Sequence, residues 1–368
     1  FEAMLFPIYF LIGRFGGPQR AYAAMKFLLY SLVGGLFMLA AMIGLYVVSA
    51  RELGAGTFDV VTLTSLNIDP GTQKMLFLGF FFAFAVKAPM VPFHTWLPDA
   101  AAEATPGTST LLVGVLDKVG TFGMLHFLLP IFPEASKFYA PVIIVLAVIS
   151  IFYGALVAIG QTDVMRLIAF TSISHFGFIV LGIFVFTSQG LTGASFYMVN
   201  HGFSTGALFL VMGYLVSRRG SKRIADFGGV QKVAPVMTGV FLLSGLSSLA
   251  LPGMSSFVSE FLVLAGAFAV NQPAAIFATL GIVLAAVYIL WMYQRMMTGV
   301  PPQEITETVT EITRRELTAV VPLLVLLIGL GFFPQVALNA INPAVQQVQE
   351  YVGFADPQAA VVIEGSGS

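Results

Sequence analysis

The sequence predicts an all-α fold, a polytopic transmembrane helical bundle, and three observations lead to this prediction. Of the 368 residues, 58% are hydrophobic and only 10% are charged, whereas a soluble domain carries about 25% charged residues. The mean hydropathy is +0.92. The apolar residues are collected in long segments, as membrane-spanning helices require. These features exclude a soluble domain and indicate an integral membrane protein.

Ten apolar segments divide the chain. In order they are 1–13, 24–50, 75–97, 108–132, 140–160, 164–187, 191–216, 233–270, 273–298 and 317–338. The first is too short to cross a bilayer and is predicted to be part of a helix. The eighth is nearly twice the length needed, and Pro252 divides it, so we predict one broken helix there. Hydroxyl groups near this break are expected to satisfy the freed backbone: Ser244, Ser247, Ser248, Ser255 and Ser256.

Basic residues between the segments predict the orientation. Twelve lie in loops on one side of the membrane: Arg14, Arg20, Lys26, Arg166, Arg218, Arg219, Lys222, Arg223, Lys232, Arg295, Arg314 and Arg315. Three lie on the other side, namely Arg51, Lys74 and Lys137. Because cytoplasmic loops carry the excess of Lys and Arg, the first side is predicted to be cytoplasmic.

The polar segments contain no recognisable soluble domain. Residues 299–316 are predicted to form a polar cytoplasmic connection, and the tail after Asn339 is predicted to be frayed at its end, residues 365–368. The net charge of -1 argues against a nucleic-acid partner. With no cysteine, the chain offers neither a cysteine-ligated iron–sulfur cluster nor a disulfide.

The stretch 80–123 carries the strongest functional signal. Lys87 and Lys118 lie inside apolar runs, although a charge at the bilayer centre costs roughly 2.5 to 3.5 kcal/mol on insertion scales. Pro89 and Pro92 follow the first lysine and interrupt its helix. The backbone groups that they free must find partners in protein or water. A broken helix beside a buried lysine therefore indicates an ion path.

The motif in this stretch resembles that of the antiporter-like membrane subunits of respiratory complex I and their relatives. The matching residues are Lys87-Ala88-Pro89, then His94-Thr95-Trp96-Leu97-Pro98-Asp99, then the L-L-x-G-V-L-x-K-x-G-x-x-G pattern around Lys118. The resemblance covers nearly the whole chain. Three positions depart from it: Ala101 replaces the family's usual histidine, residues 104–106 read Ala-Thr-Pro instead of Ala-Pro-Thr, and Asp117 replaces an apolar residue.

The resemblance implies two inverted five-helix repeats, each containing a broken helix. Interruptions at Pro89 and Pro252 fit such repeats, and paired interruptions mark the ion sites of repeat-built transporters. The implied organisation has three parts. Residues 1–132 are the C-terminal part of the first repeat, 133–298 the second inverted repeat, and 299–368 the cytoplasmic connection, the last transmembrane helix and the polar tail. Roughly four N-terminal helices of the family are expected to be missing.

Six ionisable residues are the candidates for proton translocation: Glu2, Lys87, Lys118, His175, His201 and Glu260. The resemblance pairs Glu2 with Lys87. A neighbouring carboxylate favours the ammonium form and burial favours the neutral amine, so this lysine can switch when its partner moves. The alternative is a static ion pair that fixes helix packing. Asp117 points about 100° away from Lys118 on a helix and either partners a neighbouring helix or takes part in function.

His175 and His201 are the candidates for a central relay. Imidazole titrates near neutral pH and can pass a proton between its two nitrogens. Hydroxyl residues one turn away on the same faces are predicted to extend the hydrogen-bonded chain: Thr171, Ser172, Ser204 and Thr205. The alternatives are packing histidines held by hydrogen bonds, or a pair of haem ligands. His126 lies near a span end and fits an interfacial role better.

Glu260 lies beyond the second break and is the implied repeat counterpart of Lys87. As a terminal acid it would exchange protons with water on the far side. Within the family, M-type subunits usually carry glutamate here, whereas L-type and N-type subunits and Mrp antiporter subunits usually carry lysine. Glu260 therefore indicates resemblance to the M type. The alternative is a charge that faces the next subunit.

The resemblance implies a proton-translocating membrane subunit of a NADH:quinone oxidoreductase in a bacterial inner membrane, moving protons from the cytoplasm to the outside. No cofactor is expected in this chain, and FMN, iron–sulfur clusters and quinone are expected in partner subunits. The expected partners are L-type and N-type neighbours and membrane lipid. The alternatives are a cation/proton antiporter subunit, a hydrogenase-linked ion pump, or a stand-alone transporter of an organic solute. The last is disfavoured because the buried groups form a line instead of one pocket.

Overall fold

The computed structural model describes residues 1–357 of the chain, and within them every regular element is a helix. The first part contains α1 (Leu5–Phe15), α2 (Arg20–Leu53), α3 (Val60–Thr64), α4 (Pro70–Lys87), α5 (Trp96–Glu103) and α6 (Pro106–Ile131). The second contains α7 (Pro133–Ile159), α8 (Val164–Phe184), α9 (Ser188–Arg219), α10 (Pro235–Ser248), α11 (Ser255–Val270) and α12 (Gln272–Met297). The chain continues through α13 (Gln303–Thr308), α14 (Arg314–Phe332) and α15 (Gln335–Val352).

The predicted transmembrane bundle is confirmed. Seven helices of the described part are long and apolar enough to cross a membrane on their own: α2, α6, α7, α8, α9, α12 and α14. Two further segments are interrupted, as predicted. The helix of segment 75–97 stops after Lys87 and resumes as α5, and segment 233–270 divides into α10 and α11. The prolines impose both interruptions because they cannot donate the helical hydrogen bond.

Helix α15 is an element that the sequence analysis missed. Its residues alternate between polar side chains and a narrow apolar stripe, so no long apolar run marks it. Val345 and Val352 are buried on this stripe. The amide of Gln349 donates to the carbonyl oxygen of Phe186 at 3.0 Å, which holds the helix against the turn before α9. The predicted fraying of residues 365–368 concerns a part of the chain beyond the described residues.

Helix α8 forms the centre of the bundle. Every residue from Val164 to Phe184 except Arg166 is buried. The helix is apolar on all sides, and such a helix must be surrounded by others. Glycines in α7 and α8 permit the close contact, since a β-carbon at Gly154 would lie 2.6 Å from the backbone nitrogen of Ser174. Small residues at helix contacts are the usual means of close packing in membranes.

Asp99, in α5, forms ion pairs with two basic residues that the sequence analysis placed on one side of the membrane. Its carboxylate accepts hydrogen bonds from Lys26 at 2.7 Å and from Arg166 at 2.5 Å. Nearby, Lys222 contacts Glu103 at 3.7 Å. These contacts join the starts of α2 and α8 to the end of α5 and to the loop after α9. They support the predicted segment order, because one miscounted span would place these residues on opposite sides.

Replacing Asp99 by asparagine is expected to lower the free energy of unfolding by about 2 kcal/mol, since hydrogen bonds to charged groups are worth roughly 1.5 to 3 kcal/mol each. The variant leaves Lys26 and Arg166 facing each other without their shared anion. Thermal denaturation of the purified protein measures the loss. Glu134→Gln is the matched control, because its pair with Lys137 at 3.1 Å is exposed and exposed pairs contribute below about 1 kcal/mol. Equal melting temperatures for the two variants would contradict the role of Asp99.

The segment 299–316 is a polar connection that is tied to the bundle through its acidic residues. Glu311 accepts hydrogen bonds from the backbone nitrogens of Val236 and Met237 at 2.8 Å each, and so caps the start of α10. At the end of the segment, Glu316 accepts a hydrogen bond from Arg218 at 2.7 Å. A carboxylate at a helix N-terminus satisfies backbone donors that lack partners within the helix. The connection thereby fixes the position of α10, which leads into the second break.

Candidate functional site

The first break leaves a lysine at the end of a half-helix. Side chains of neighbouring helices form hydrogen bonds with backbone groups that the break frees. Lys87 is the last residue of α4. The freed carbonyl oxygen of Val86 accepts a hydrogen bond from the indole nitrogen of Trp96 at 2.9 Å. The backbone nitrogen of Val91 donates to the hydroxyl of Ser150 at 3.0 Å. The predicted need for protein partners at this break is met by α5 and α7. A cation at a helix C-terminus is also favoured by the helix dipole.

The Lys87 side chain is buried, with 1% of its surface exposed. Its ammonium lies 5.3 Å from the ring centroid of Phe1 and 5.5 Å from that of Phe27. Glu2 lies nearby, in a short helical turn. Its carboxylate packs directly against Gly35 of α2, because a β-carbon added at that glycine would overlap it. Neither charged group has a hydrogen-bond partner among residues 1–357. The direct Glu2–Lys87 pair implied by the resemblance is therefore not formed, although the two charges act on each other.

Helix α6 widens on both sides of Lys118. Residues Leu112–Leu116 and Met124–Leu128 are π-helical turns, which often occur at functional sites. The Lys118 ammonium donates to the carbonyl oxygen of Val113 at 2.5 Å. No periodicity in the sequence predicts these turns. In this arrangement the Lys118 side chain extends towards the N-terminus of α6, where it contacts Val113 of its own helix and His201 of α9.

Lys118 and the two histidines form one cluster at the centre of the bundle. The Lys118 nitrogen lies 2.6 Å from Nδ1 of His201. The rings of His201 and His175 meet edge to face, with centroids 5.2 Å apart. A close crossing of α6 and α9 positions the pair, since a β-carbon on Gly202 would lie 2.8 Å from the carbonyl oxygen of Gly114. Because an ammonium can only donate, Nδ1 of His201 must accept while Lys118 is charged.

Two tyrosines connect the histidines with Glu260. The hydroxyl of Tyr288 lies 3.3 Å from Nε2 of His175. The hydroxyl of Tyr197 donates to the carboxylate of Glu260 at 3.1 Å, and its ring centroid is 6.0 Å from that of His175. All four side chains are buried. The sequence analysis missed both tyrosines, although Tyr197 stands one helical turn before His201 and this spacing could have indicated it.

The second break is organised by Asn200, another residue that the sequence analysis did not identify. Its amide nitrogen donates to the backbone carbonyl of Ser255 at 3.0 Å and lies 3.2 Å from the hydroxyl of Ser259. The serines that were expected to satisfy the backbone do little of this. Ser247 and Ser256 contact each other at 3.2 Å, and the hydroxyls of Ser248 and Ser255 have no partner among residues 1–357.

Three of the four hydroxyls that were predicted to extend the histidine chain donate to backbone carbonyls of their own helices. Thr171 and Ser172 both donate to the carbonyl oxygen of Ile168 in their own helix. Ser204 donates to the carbonyl oxygen of His201 at 3.4 Å. The Thr205 hydroxyl has no partner among residues 1–357. The hydroxyl chain stays a prediction, and the two tyrosines place further hydroxyls beside His175 and Glu260. His126 lies apart from the cluster and stacks on Phe122 at 5.1 Å.

The arrangement is suited to moving protons within the chain. Lys118–His201, His175–Tyr288 and Tyr197–Glu260 are hydrogen-bonding pairs. The step from His201 to His175 is a ring contact only, and Nε2 of His201 and Nδ1 of His175 have no hydrogen-bond partner among residues 1–357. Within residues 1–357, no three His, Asp or Glu side chains converge so as to hold a metal ion. A haem between the two histidines does not fit, because their rings are in direct contact and axial ligands must lie on opposite faces of the porphyrin.

Comparison with known proteins identifies relatives of the whole described bundle. A family model described as "NADH:quinone oxidoreductase/Mrp antiporter, TM" matches residues 1–285. NADH-quinone oxidoreductase subunit M of Mycobacterium tuberculosis (strain ATCC 25618 / H37Rv) is 55% identical over 98% of this chain and 66% of its own length. Subunit M of Rhodobacter capsulatus is 40% identical over 95% of this chain and 70% of its own. The chain thus spans about two thirds of the length of these relatives.

Solved structures share the fold. A chain of respiratory complex I from Thermus thermophilus with bound NADH superposes with a TM-score of 0.90 at 32% identity, over 96% of this chain and 74% of that one. A chain of the Mrp complex from a Dietzia species superposes with a TM-score of 0.85 at 22% identity, over the same shares of the two chains. The second likeness concerns the fold alone.

Proposed function

The chain belongs to the family of membrane subunits shared by NADH:quinone oxidoreductases and Mrp antiporters, and from this premise we propose that it is an M-type, proton-translocating subunit of a NADH:quinone oxidoreductase. It would be a multi-pass protein of a bacterial inner membrane. Redox chemistry would take place in partner subunits that hold FMN, iron–sulfur clusters and quinone. L-type and N-type subunits and membrane lipid would be its neighbours.

One observation carries the proposal: the 2.6 Å contact between Lys118 and His201 at the centre of a line of buried and half-buried ionisable groups. The line begins at Glu2, passes through two lysines and two histidines, and ends at Glu260. Buried ionisable residues are costly within a membrane, and a structural role would require fixed partners for each. Several of these groups instead lack partners among the described residues.

The proposed mechanism is electrostatic. Withdrawal of Glu2, or arrival of a positive charge beside Lys87, favours release of the proton from that lysine. The proton passes to Lys118, whose ammonium can hand it to Nδ1 of His201. The imidazolium formed there releases a proton from Nε2 towards His175, and Tyr288 and Tyr197 extend the path to Glu260. Glu260 then releases a proton to the outside.

The proposed internal organisation follows the two breaks. Residues 1–132 would be the C-terminal part of one five-helix repeat and residues 133–298 the inverted second repeat. Residues 299–368 would hold the connection, the last span and the tail. In support, each proposed repeat contains one interrupted helix with an ionisable residue beside it, Lys87 in the first and Glu260 in the second.

The test of the proposal uses a strain that lacks the gene for this chain and the same strain carrying the full-length gene. We expect inverted membrane vesicles of the complemented strain to acidify their interior when NADH is added, and those of the deletion strain to fail. Acidification driven by ATP hydrolysis is the control for intact vesicles. Tagging the chain should also recover the other membrane and redox subunits.

Three results would contradict the proposal. Equal NADH-driven acidification in the two strains would exclude this chain from the coupled path. A sodium gradient that drives proton movement through the purified chain and its partners without NADH would favour a cation/proton antiporter. Stable, active purification of the chain alone would favour a solute transporter.

A further inference from the structure

Asp117 is a buried acid that packing does not explain. It lies in α6 directly before Lys118, and its side chain has no exposed surface. Neither carboxylate oxygen has a hydrogen-bond partner among the described residues. The sequence left open whether Asp117 partners a neighbouring helix, and such a role requires a donor from that helix. Because none is present in residues 1–357, burial without a donor would be costly for a purely structural residue.

Two ammonium groups act on the Asp117 carboxylate. Lys118 is the next residue of α6, and Lys87 ends α4, another helix. Asp117 acts on the charge of Lys87, as Glu2 does. It is also the carboxylate that acts on Lys118. The charges therefore alternate in sign along the order Glu2, Lys87, Asp117, Lys118.

The crossing of α4 and α6 explains why a residue next to Lys118 also meets Lys87. A β-carbon added at Gly120 would lie 2.6 Å from both the backbone nitrogen of Ala88 and the carbonyl oxygen of Phe84. This close approach occurs where α4 ends at Lys87. Asp117 stands about one turn before Gly120 on α6, so it lies close to the point where α4 ends at Lys87.

We propose that Asp117 carries the proton from Lys87 to Lys118. The ammonium of Lys87 gives its proton to the carboxylate, which leaves a neutral amine and a neutral carboxylic acid. The acid then gives a proton to the neutral amine of Lys118, which restores the carboxylate and forms an ammonium. Charge and protons balance at each step, and no further reactant is needed. The inference rests on the proposed function, because both lysines must change protonation during turnover.

A carboxylate between the lysines also separates their charges. Two ammonium groups facing each other would each disfavour the charged state of the other. With Asp117 between them, a proton can approach the second lysine as part of a neutral acid. The transfer therefore avoids a state in which two neighbouring ammonium groups lack an anion.

The experiment compares Asp117→Asn and Asp117→Glu in the purified, fully assembled complex and in inverted vesicles. We expect Asp117→Asn to lower both NADH-driven acidification and quinone reduction at least about tenfold, since proton-transfer groups contribute roughly a hundredfold or more. Asp117→Glu should restore most of both. Infrared difference spectra recorded on adding NADH should contain a band of a protonated carboxyl that is absent in Asp117→Asn and displaced in Asp117→Glu. Asp59→Asn, which changes an exposed acid, is the control.

The outcomes separate this inference from the proposed function. Wild-type pumping in an assembled Asp117→Asn complex would overturn it. Lost pumping with an unchanged carboxyl region of the infrared spectrum would also overturn it, because Asp117 would then be a fixed counter-ion. Lys87→Ala is measured in parallel. If Lys87→Ala loses pumping while Asp117→Asn keeps it, only the role of Asp117 fails; if Lys87→Ala pumps normally, the proposed function itself fails.

Discussion

Replacing Lys87 by alanine is expected to lower NADH-driven acidification of inverted vesicles at least about tenfold, and to slow quinone reduction in the same vesicles by a similar factor. The ammonium is the group on which the charges of both Glu2 and Asp117 act. Without this ammonium, no proton is released when Glu2 withdraws, and the path to Lys118 has no first donor. Quinone reduction slows as well, because pumping and electron transfer are coupled in the proposed mechanism. Acidification and quinone reduction are recorded in one sample.

Two further variants separate charge from volume. Lys87→Met keeps most of the side-chain volume between Phe1 and Phe27 and should fail as Lys87→Ala does. Lys74→Ala removes a lysine from the same helix whose ammonium lies 3.6 Å from the ring centroid of Phe138, and it should pump normally. Normal acidification with normal quinone reduction in Lys87→Ala would show that Lys87 is structural and that the proposed relay is wrong.

Replacing Gly120 by alanine is expected to prevent assembly of most of the protein. The added methyl group would meet the backbone of Ala88 and Phe84 at 2.6 Å, and backbone atoms cannot rotate aside as a side chain can. Overpacking of this kind costs about 1 to 3 kcal/mol and occasionally more. The helices must then separate where α6 holds Asp117 and Lys118 beside Lys87. The amount of chain in the assembled complex and the melting temperature of that complex measure the effect.

Gly239→Ala is the matched control for this variant. Gly239 lies within α10, and a β-carbon there would meet nothing within 4 Å. Alanine has the higher helix propensity by about 1 kcal/mol, so this control should assemble as well as the wild type. A Gly120→Ala complex that assembles and melts as the wild type does would show that α4 and α6 are not closely packed at this point.

The sequence was sufficient for the bundle and for the positions of both breaks. Apolar length predicts the spans, and Pro89, Pro92 and Pro252 mark the two breaks, although Pro141, Pro322 and Pro343 lie inside continuous helices. It could not predict α15, whose apolar stripe is too narrow to stand out from its polar residues. Nor could it predict the π-helical turns around Lys118, because they depend on the crossing with α9 and not on local propensity.

The charged residues of the candidate site were predicted from the sequence, but the contacts that join them were not. Lys87, Lys118 and Glu260 stand out in the sequence because a charge in an apolar run is conspicuous. Tyr197, Tyr288 and Asn200 do not stand out, because such residues are common in membrane helices and only their neighbours give them a role. The contact between Lys118 and His201 joins positions 83 residues apart, and no local pattern encodes that distance. The roles of the six candidates stay proposals.

The hydrogen bond across the first break supplies an optical probe of the lysine beside it. The chain has two tryptophans, and they differ sharply in surroundings: Trp96 is fully buried, whereas 44% of the Trp291 surface is exposed. The Trp96 indole donates to the carbonyl oxygen of Val86 and its ring lies 5.3 Å from that of Phe27, which in turn contacts Lys87. Indole emission responds to nearby charge, so gain or loss of the Lys87 proton should shift the fluorescence of Trp96. With Trp291→Phe, this chain would report the charge of its own first lysine during turnover, without any attached dye.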